Sequence, residues 1–260
     1  MEQVNALFRK RIGFPHNEEI TFEQLGTILE KIATTIPFEN LCIFSNTKRE
    51  ITKKNLIEKL LVKNEGGLCY ELNTTLYFFL LENGFDVSLI RGIVYNHITQ
   101  SYPISGRTHI TILLEHENQF YIVDTGFGAN LPLKPVPLTG EIVSSFNGEF
   151  RIKQEDSAYG DYLLELKLAH KDPDWKLGYA FHSEPLTDLS EVNEVQEIIH
   201  EHPHSPFNKN RLVTRLTYGG NITLTDTSLT HWQDGKMEKK EIDHNQFKDF
   251  LNAHFQMKSY

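Results

Sequence analysis

The chain has 260 residues, a net charge of −9 with histidines neutral, 39% hydrophobic residues and 23% charged ones. That length buries a sizeable core, as one large domain or as two to three packed subdomains, in a globular protein with no disordered bulk. The acidic balance and the lack of a long basic tract speak against a nucleic-acid surface, and the longest apolar run, "LYFFLL" at 76–81, is too short to cross a bilayer.

The opening "MEQVNALFRKRIGF" has no continuous apolar stretch and no cleavage site, so no secretory signal is expected. The first third reads helical. "TFEQLGTILEKIATTI" starts at Thr21 with Gln24 three residues on, a capping-box pattern, and Leu25, Ile28, Leu29 and Ile32 form one apolar face until Pro37 stops it. "TKKNLIEKLLV" predicts a second helix with Leu56, Leu60 and Leu61 as its stripe. Cys42, in "ENLCIF", reads as core. Two cysteines, Cys42 and Cys69, make no disulfide scaffold and fit a reducing, cytoplasmic setting.

"NEGGLCYELN" at 64–73 puts Cys69 in the first turn of a third helix. Leu72, Leu76, Phe79 and Leu80 share a face of that helix, and Asn83-Gly84 caps its end. A cysteine at a helix start is usually a small buried hydrophobe. It is also where a helix N-terminus lowers a thiol pKa and makes a nucleophile. Gly66 and Gly67 give the loop freedom of approach, and their N–H groups are candidate oxyanion donors.

After Phe85 the period drops to two. "FDVSLIRGIVY", "RTHITILLEH", "QFYIVDTGFG", "DYLLELKLAH" and "DWKLGYAFH" read as strands, the last two as a hairpin around "KDPD" with Trp175, Leu177, Tyr179 and Phe181 on one face. A helix from Thr187, a proline-containing loop, strands "LVTRLTY" and "NITLTD", and a closing helix from Asn245 follow. The fold class expected is α+β, divided at 1–84, 85–186 and 187–260.

With a four-residue turn at Glu115–Asn118, "THITILLEHENQFYIVD" becomes a hairpin in which Leu113 opposes Phe120, Thr111 opposes Ile122 and His109 opposes Asp124. An imidazole beside a carboxylate has its tautomer held and its charged form stabilised. With Cys69 the roles of an activated thiol are filled, although a His–Asp pair on strands is also a common structural pair.

"IPFENL" at 36–41, "GGLCYELN" at 66–73, "THITILL" at 108–114, "VDTGFG" at 123–128 and "HSPF" at 204–207 together resemble the arylamine N-acetyltransferase family, in order and spacing over nearly the whole chain. The resemblance implies a papain-like core with a helical bundle, a β-barrel and an α/β lid. It implies acetyl-CoA as co-substrate, an arylamine or hydrazine as acceptor, no metal, and a catalytic triad of Cys69, His109 and Asp124. It places Phe38 and Phe127 in the acceptor pocket, and Thr108, Gly128 and Phe207 beside the coenzyme or acceptor cleft. Where the family usually has Arg before the two glycines, paired with the glutamate of "PFEN", this chain has Glu65 facing Glu39, a repulsive pair unless another cation intervenes.

"HEHPH" (His200, His202, His204) is a candidate metal site, but Pro203 and its overlap with "HSPF" favour a solvated lid loop. "GFG" at 126–128 lacks the ending of a phosphate loop. The rival functions are a papain-like thiol hydrolase or transglutaminase, which share the triad, and an inactive small-molecule binder.

Overall fold

The structure is a computed structural model that describes residues 4–257, so positions 1–3 and 258–260 of the first and last segments lie outside the described residues. Helix α1 (Val4–Ile12), α2 (Leu25–Thr35), strand β1 (Phe38–Glu39), α3 (Leu41–Phe44), α4 (Lys53–Leu56) and α5 (Cys69–Glu82) form the first part. Gln24 Oε1 accepts from the Thr21 N–H at 3.2 Å as the capping pattern predicts, but the first turn, Phe22–Gln24, is a 3₁₀ turn before the α-helix begins. The stretch after α4, Ile57–Val62, is a π-helix rather than the regular helix expected, while Leu56, Leu60 and Leu61 are still buried.

Helix α5 is the axis of this part. Its first eight residues, Cys69 to Leu76, are all buried, including Glu71, Asn73, Thr74 and Thr75, so it is not a one-faced amphipathic helix but is packed on all sides. Asn83 and Gly84, at φ +81°, end it. Cys42 is buried in α3.

An eight-stranded antiparallel sheet follows, built from β2 (Asp86–Val94), β3 (His109–His116), β4 (Gln119–Val123), β5 (Val136–Pro137), β6 (Val143–Ser145), β7 (Gly148–Ser157), β8 (Gly160–Leu168) and β9 (Lys176–Phe181). The order β5-β4-β3-β2-β9-β8-β7-β6 coils it into a nearly closed barrel around Ile90, Phe150, Ile152, Leu164, Tyr179 and Phe181. Then come α6 (Leu189–Glu201), β10 (Leu212–Thr217), β11 (Gly220–Thr225), β12 (Ser228–Gln233), β13 (Lys236–Glu241) and α7 (His244–Phe255). The second sheet runs β1-β10-β11-β12-β13, so Phe38 and Glu39, from the helical part, pair with Thr214 and Val213. One face of that sheet packs Val213, Ile222 and Leu224 against Phe247, Leu251 and Phe255 of α7. The whole is α+β.

One expected register and one expected strand face are corrected. The β3–β4 hairpin turns on two residues, Glu117 and Asn118 at φ +50° and +60°, and pairs His116 with Gln119, Glu115 with Phe120 and Leu113 with Ile122. A two-residue turn with both central φ values positive matches the twist of the strands, which a longer turn does not. The slip relative to the four-residue reading is two positions, an even number, so every side chain stays on its expected face. In the β8–β9 pair, Leu164 faces Tyr179 while Glu165 faces Leu177, leaving Gly178 as a bulge. The bulge reverses the alternation: Tyr179 and Phe181 enter the barrel core, whereas Leu177 joins Ile93, Leu163 and Ala180 elsewhere.

Candidate active site

Cys69 is the first residue of α5, and helix and barrel meet at its thiol. The Sγ lies 3.5 Å from the carbonyl oxygen of Thr108, the residue just before β3. Gly126 is pressed against the other side of the cysteine, and Asn73, one helical turn on, stitches α5 to the hairpin. Asn73 Nδ2 donates to Ile110 O at 2.7 Å and to Asp124 Oδ1 at 2.9 Å, while its Oδ1 accepts from the N–H and hydroxyl of Thr125.

His109 and Asp124 meet as diagonal neighbours on one face of the hairpin, not as the directly opposed pair the longer turn predicted. Nε2 of His109 is 2.7 Å from Asp124 Oδ2, and both groups are buried. The Asp124 carboxylate is fully satisfied: Oδ1 accepts from Asn73 and from the Gly126 N–H, and Oδ2 accepts from His109 and from the Tyr179 hydroxyl at 2.9 Å. Burial pushes this carboxyl upward, but the His109 charge and these donors outweigh it and hold the pKa below the usual carboxylate range. Burial likewise disfavours imidazolium at His109, and Asp124 with Cys69 more than reverses that, raising its pKa to about 10. Since Nε2 is taken by Asp124, Nδ1 is the nitrogen left for the thiol. Asn73 and Tyr179 were not singled out in the sequence. The signal for Asn73 was its i, i+4 spacing from Cys69, and for Tyr179 there was none, because the Gly178 bulge decides where it points.

Cys69 and His109 line a cleft of about 740 Å³, with Asp124 buried behind it; the cleft is bordered by Phe38, Thr108, Phe127, Gly128 and Phe207, all five residues the resemblance assigned to substrate or coenzyme. The Phe38 and Phe207 rings meet edge to face at 5.7 Å, and Phe127 contacts His109 and Tyr179 at 5.4 and 5.1 Å. Gly128, at φ +62°, is 3.9 Å at its Cβ position from the Phe38 ring. Asn40 fixes the lid to this rim: its Nδ2 donates to the carbonyls of Phe207 and Asn210, and its Oδ1 accepts from the Leu212 N–H.

Gly66 and Gly67 have another role than the one expected. A Cβ at 66 would stand 2.2 Å from Pro37 O, and the Gly67 N–H donates to that same carbonyl while Gly67 O accepts from Glu39 N–H. The Gly67 amide and the absence of a side chain at 66 serve contact with residues 37–39, so Gly67 is not an oxyanion donor. The cation that partners the glutamate of "PFEN" is Lys59, which lies within the π-helix. Its Nζ lies 2.6 Å from Glu71 Oε1 and 3.3 Å from Glu39 Oε1, and both carboxylates are buried. Glu71 Oε2 accepts from the Leu68 N–H at the start of α5.

The three histidines of "HEHPH" diverge. His200 Nε2 bonds the Tyr70 hydroxyl at 3.1 Å, whereas His202 Nδ1 accepts from the His204 N–H. Among the described residues no group of three or more His, Cys, Asp or Glu is placed to hold a metal ion, and no helix is long and apolar enough to cross a membrane.

A helix-borne cysteine set against a barrel-borne His–Asp pair, beneath an α/β lid, defines a cysteine enzyme with a papain-like core. The N-acetyltransferase family model matches residues 21–259. An acetyltransferase of Bacillus subtilis, YvcN, is 40% identical over 95% of both chains, and a probable arylamine N-acetyltransferase of Dictyostelium discoideum is 32% identical over 92% of this chain and 86% of its own. An arylamine N-acetyltransferase structure from Bacillus cereus, described as having a Cys-His-Glu catalytic triad, superposes with a TM-score of 0.94 at 41% identity, covering 100% of both chains. In this chain the carboxylate that meets His109 is that of Asp124. The chain belongs to the arylamine N-acetyltransferase family.

Proposed function

We propose that the protein moves an acetyl group from acetyl-CoA to an arylamine or hydrazine through an acetyl-Cys69 intermediate. The observation that carries this reading is the Cys69–His109–Asp124 arrangement at an aromatic-walled cleft. Imidazolium at 109 favours the Cys69 thiolate beside it as a nucleophile. The thiolate attacks the thioester carbonyl, forming the Cys69 S–C bond as the coenzyme's S–C bond breaks, and His109 gives its proton to the departing sulfur. The first-turn amide of Cys69, which has no intrahelical acceptor, faces the developing oxyanion. An arylamine, a neutral nucleophile at pH 7, then attacks acetyl-Cys69. Its N–C bond forms as the Cys69 S–C bond breaks, and His109 takes the amine proton, restoring the starting pair. Phe38, Phe127 and Phe207 give a flat acceptor apolar faces to stack on. Residues 1–84 act as the helical bundle carrying the nucleophile, 85–186 as the barrel carrying His109 and Asp124, and 187–260 as the lid, in a cytoplasmic enzyme.

The test is mass spectrometry of the protein after incubation with acetyl-CoA and no amine. One acetyl group on Cys69 is expected, persisting until an arylamine discharges it. Clearance by water as fast as by amine, or discharge only by a lysine side chain, would establish the hydrolase or transglutaminase alternative, and no adduct at all would mark an inactive binder.

A further inference from the structure

The β3–β4 ladder stops short of the place where His109 and Asp124 meet. Its turn at Glu117 and Asn118 is closed by His116 and Gln119. Hydrogen-bonded pairs in an antiparallel hairpin recur at every second residue behind the turn, here Leu114 with Tyr121 and Ile112 with Val123. The next such rung would join Ile110 to Thr125. It is not made, because β4 ends at Val123 and a side chain of α5 enters the gap. The Thr125 N–H donates to Asn73 Oδ1 at 2.8 Å, and Ile110 O accepts from Asn73 Nδ2 at 2.7 Å. One side-chain amide thus completes, with its own C=O and N–H, the rung the strands leave open.

The wedge has a single orientation. Asn73 is fully buried and uses its whole hydrogen-bonding capacity. Nδ2 donates to Ile110 O and Asp124 Oδ1, and Oδ1 accepts from the Thr125 N–H and hydroxyl. A backbone N–H only donates and a carbonyl only accepts, so the amide cannot be turned over. Nδ2 therefore faces Asp124 Oδ1, which leaves Oδ2 to His109 and Tyr179. His109 precedes Ile110 and Asp124 precedes Thr125, so the amide fixes the strand separation where imidazole and carboxylate meet. Asn73 also lies one helical turn after Cys69, and Gly126 packs against both: its Cβ position is 2.8 Å from Asn73 Nδ2 and 2.5 Å from Cys69 Cα.

We propose that Asn73 is a positioning residue for acyl transfer: its amide, wedged into the rung between Ile110 and Thr125, holds the hairpin at the spacing the His109–Asp124 pair needs and sets that pair against Cys69. The inference rests on the transferase reading of these three residues. Without the amide the rung can close directly, Thr125 N–H to Ile110 O, which draws the strands together and carries Asp124 away from the His109 ring.

Two variants test it, with a readout that needs no acyl donor: the rate at which iodoacetamide labels Cys69, followed on the Cys69 peptide by mass spectrometry. Asn73→Ala removes the wedge. It should lower labelling at neutral pH and kcat for acetyl transfer each by about 10²-fold, the cost of a displacement near 1 Å. Asn73 is buried behind the cleft, so KM for acetyl-CoA should stay within about twofold of wild type. Asn73→Asp keeps the shape. Its carboxyl, when protonated, still donates one hydrogen bond to Asp124. Ionised, it donates none and sets a second negative charge against Asp124, and burial with that repulsion shifts its ionisation upward. The ratio of its labelling rate to that of wild type should therefore fall about tenfold or more between about pH 5.5 and pH 8, while the ratio for Asn73→Ala stays flat. A wild-type labelling rate in Asn73→Ala, a loss confined to KM, or a ratio for Asn73→Asp that does not change with pH would overturn the proposal. If Asn73→Ala does not fold, the profile of Asn73→Asp decides, and loss of the fold in both at every pH would make Asn73 structural and overturn it too. If wild-type protein turned over no acetyl-CoA, the transferase reading would fall, and the labelling profiles would still decide whether Asn73 places His109 and Asp124.

Discussion

A Cβ on residue 126 would stand 2.5 Å from Cys69 Cα and 2.8 Å from Asn73 Nδ2, so the Gly126 backbone is packed directly onto Cys69. The clash is with backbone and cannot be relieved by turning a side chain. Gly126→Ala should therefore push the hairpin away from α5, at a stability cost of about 1–3 kcal/mol. Because a displacement near 1 Å at a reacting group costs about 10²-fold, turnover should fall by at least that much. Gly235→Ala is the comparison: at φ +77° it is strained, but nothing lies within 4 Å of its Cβ position. It should lose a little stability and keep kcat. Equal kcat values for the two variants would mean that contact between Gly126 and Cys69 does not position the thiol.

Asp124→Asn should leave the fold in place and reduce kcat by on the order of 10⁴. An amide oxygen at the Oδ1 position still accepts from Asn73 and Gly126. The amide nitrogen would then face His109 Nε2 and the Tyr179 hydroxyl, where two donors now point at an acceptor. The ring is forced to the wrong tautomer and imidazolium loses its partner. Circular dichroism should be unchanged while acetyl transfer collapses. Transfer near the wild-type rate would reduce Asp124 to a structural role.

Lys59→Met would leave Glu39 and Glu71 facing each other in a buried space without their shared cation. Removing one partner from a buried charge cluster costs about 3 kcal/mol, which for a chain of this size is a fall in Tm of roughly 6–12 °C. The deficit should shrink at acid pH. Burial already raises the Glu71 pKa against the pull of Lys59, so without that cation the carboxyl protonates still more readily. Scanning fluorimetry at pH 5 and pH 8 reads both effects, and an unchanged Tm at pH 8 would show that the loop does not depend on this cation.

The site was legible where its residues sit in local motifs, and illegible where a long-range irregularity decides the geometry. Cys69 at a helix start follows from glycines, a capped apolar run and Asn83-Gly84. His109 and Asp124 were found together despite a wrong turn length, because an error of two positions preserves the face of a strand. Tyr179 was hidden by the Gly178 bulge, which cancels the alternation the sequence displays. Lys59 was hidden by a π-helix, since a regular helical count aims that position differently. β12 and β13 escaped notice because their stretch, "SLTHWQDGKMEKKE", is too polar to show a buried face, and all of β13 is exposed.

The last prediction concerns pH. His109 has its pKa raised from the ordinary 6.5 to about 10, burial opposing the charge and the Asp124 and Cys69 interactions overcoming it. A base whose folded pKa exceeds its unfolded one holds its proton more tightly when folded. Its contribution to stability is complete below about pH 6.5 and is lost as pH rises through about 10. Asp124 has the opposite sign: burial raises it, His109 and the hydrogen bonds lower it further, and its contribution is present above about pH 3.9 and lost in acid. Between these limits the pair is a buried carboxylate–imidazolium. His109→Gln keeps a donor for Asp124 but cannot titrate. The Tm difference between wild type and His109→Gln should therefore stay level from about pH 4.5 to 6.5 and decline steadily from there towards pH 10. A difference that is constant from pH 6 to 10 would mean that the folded protein carries a neutral imidazole, and the first half-reaction would then need its proton from elsewhere.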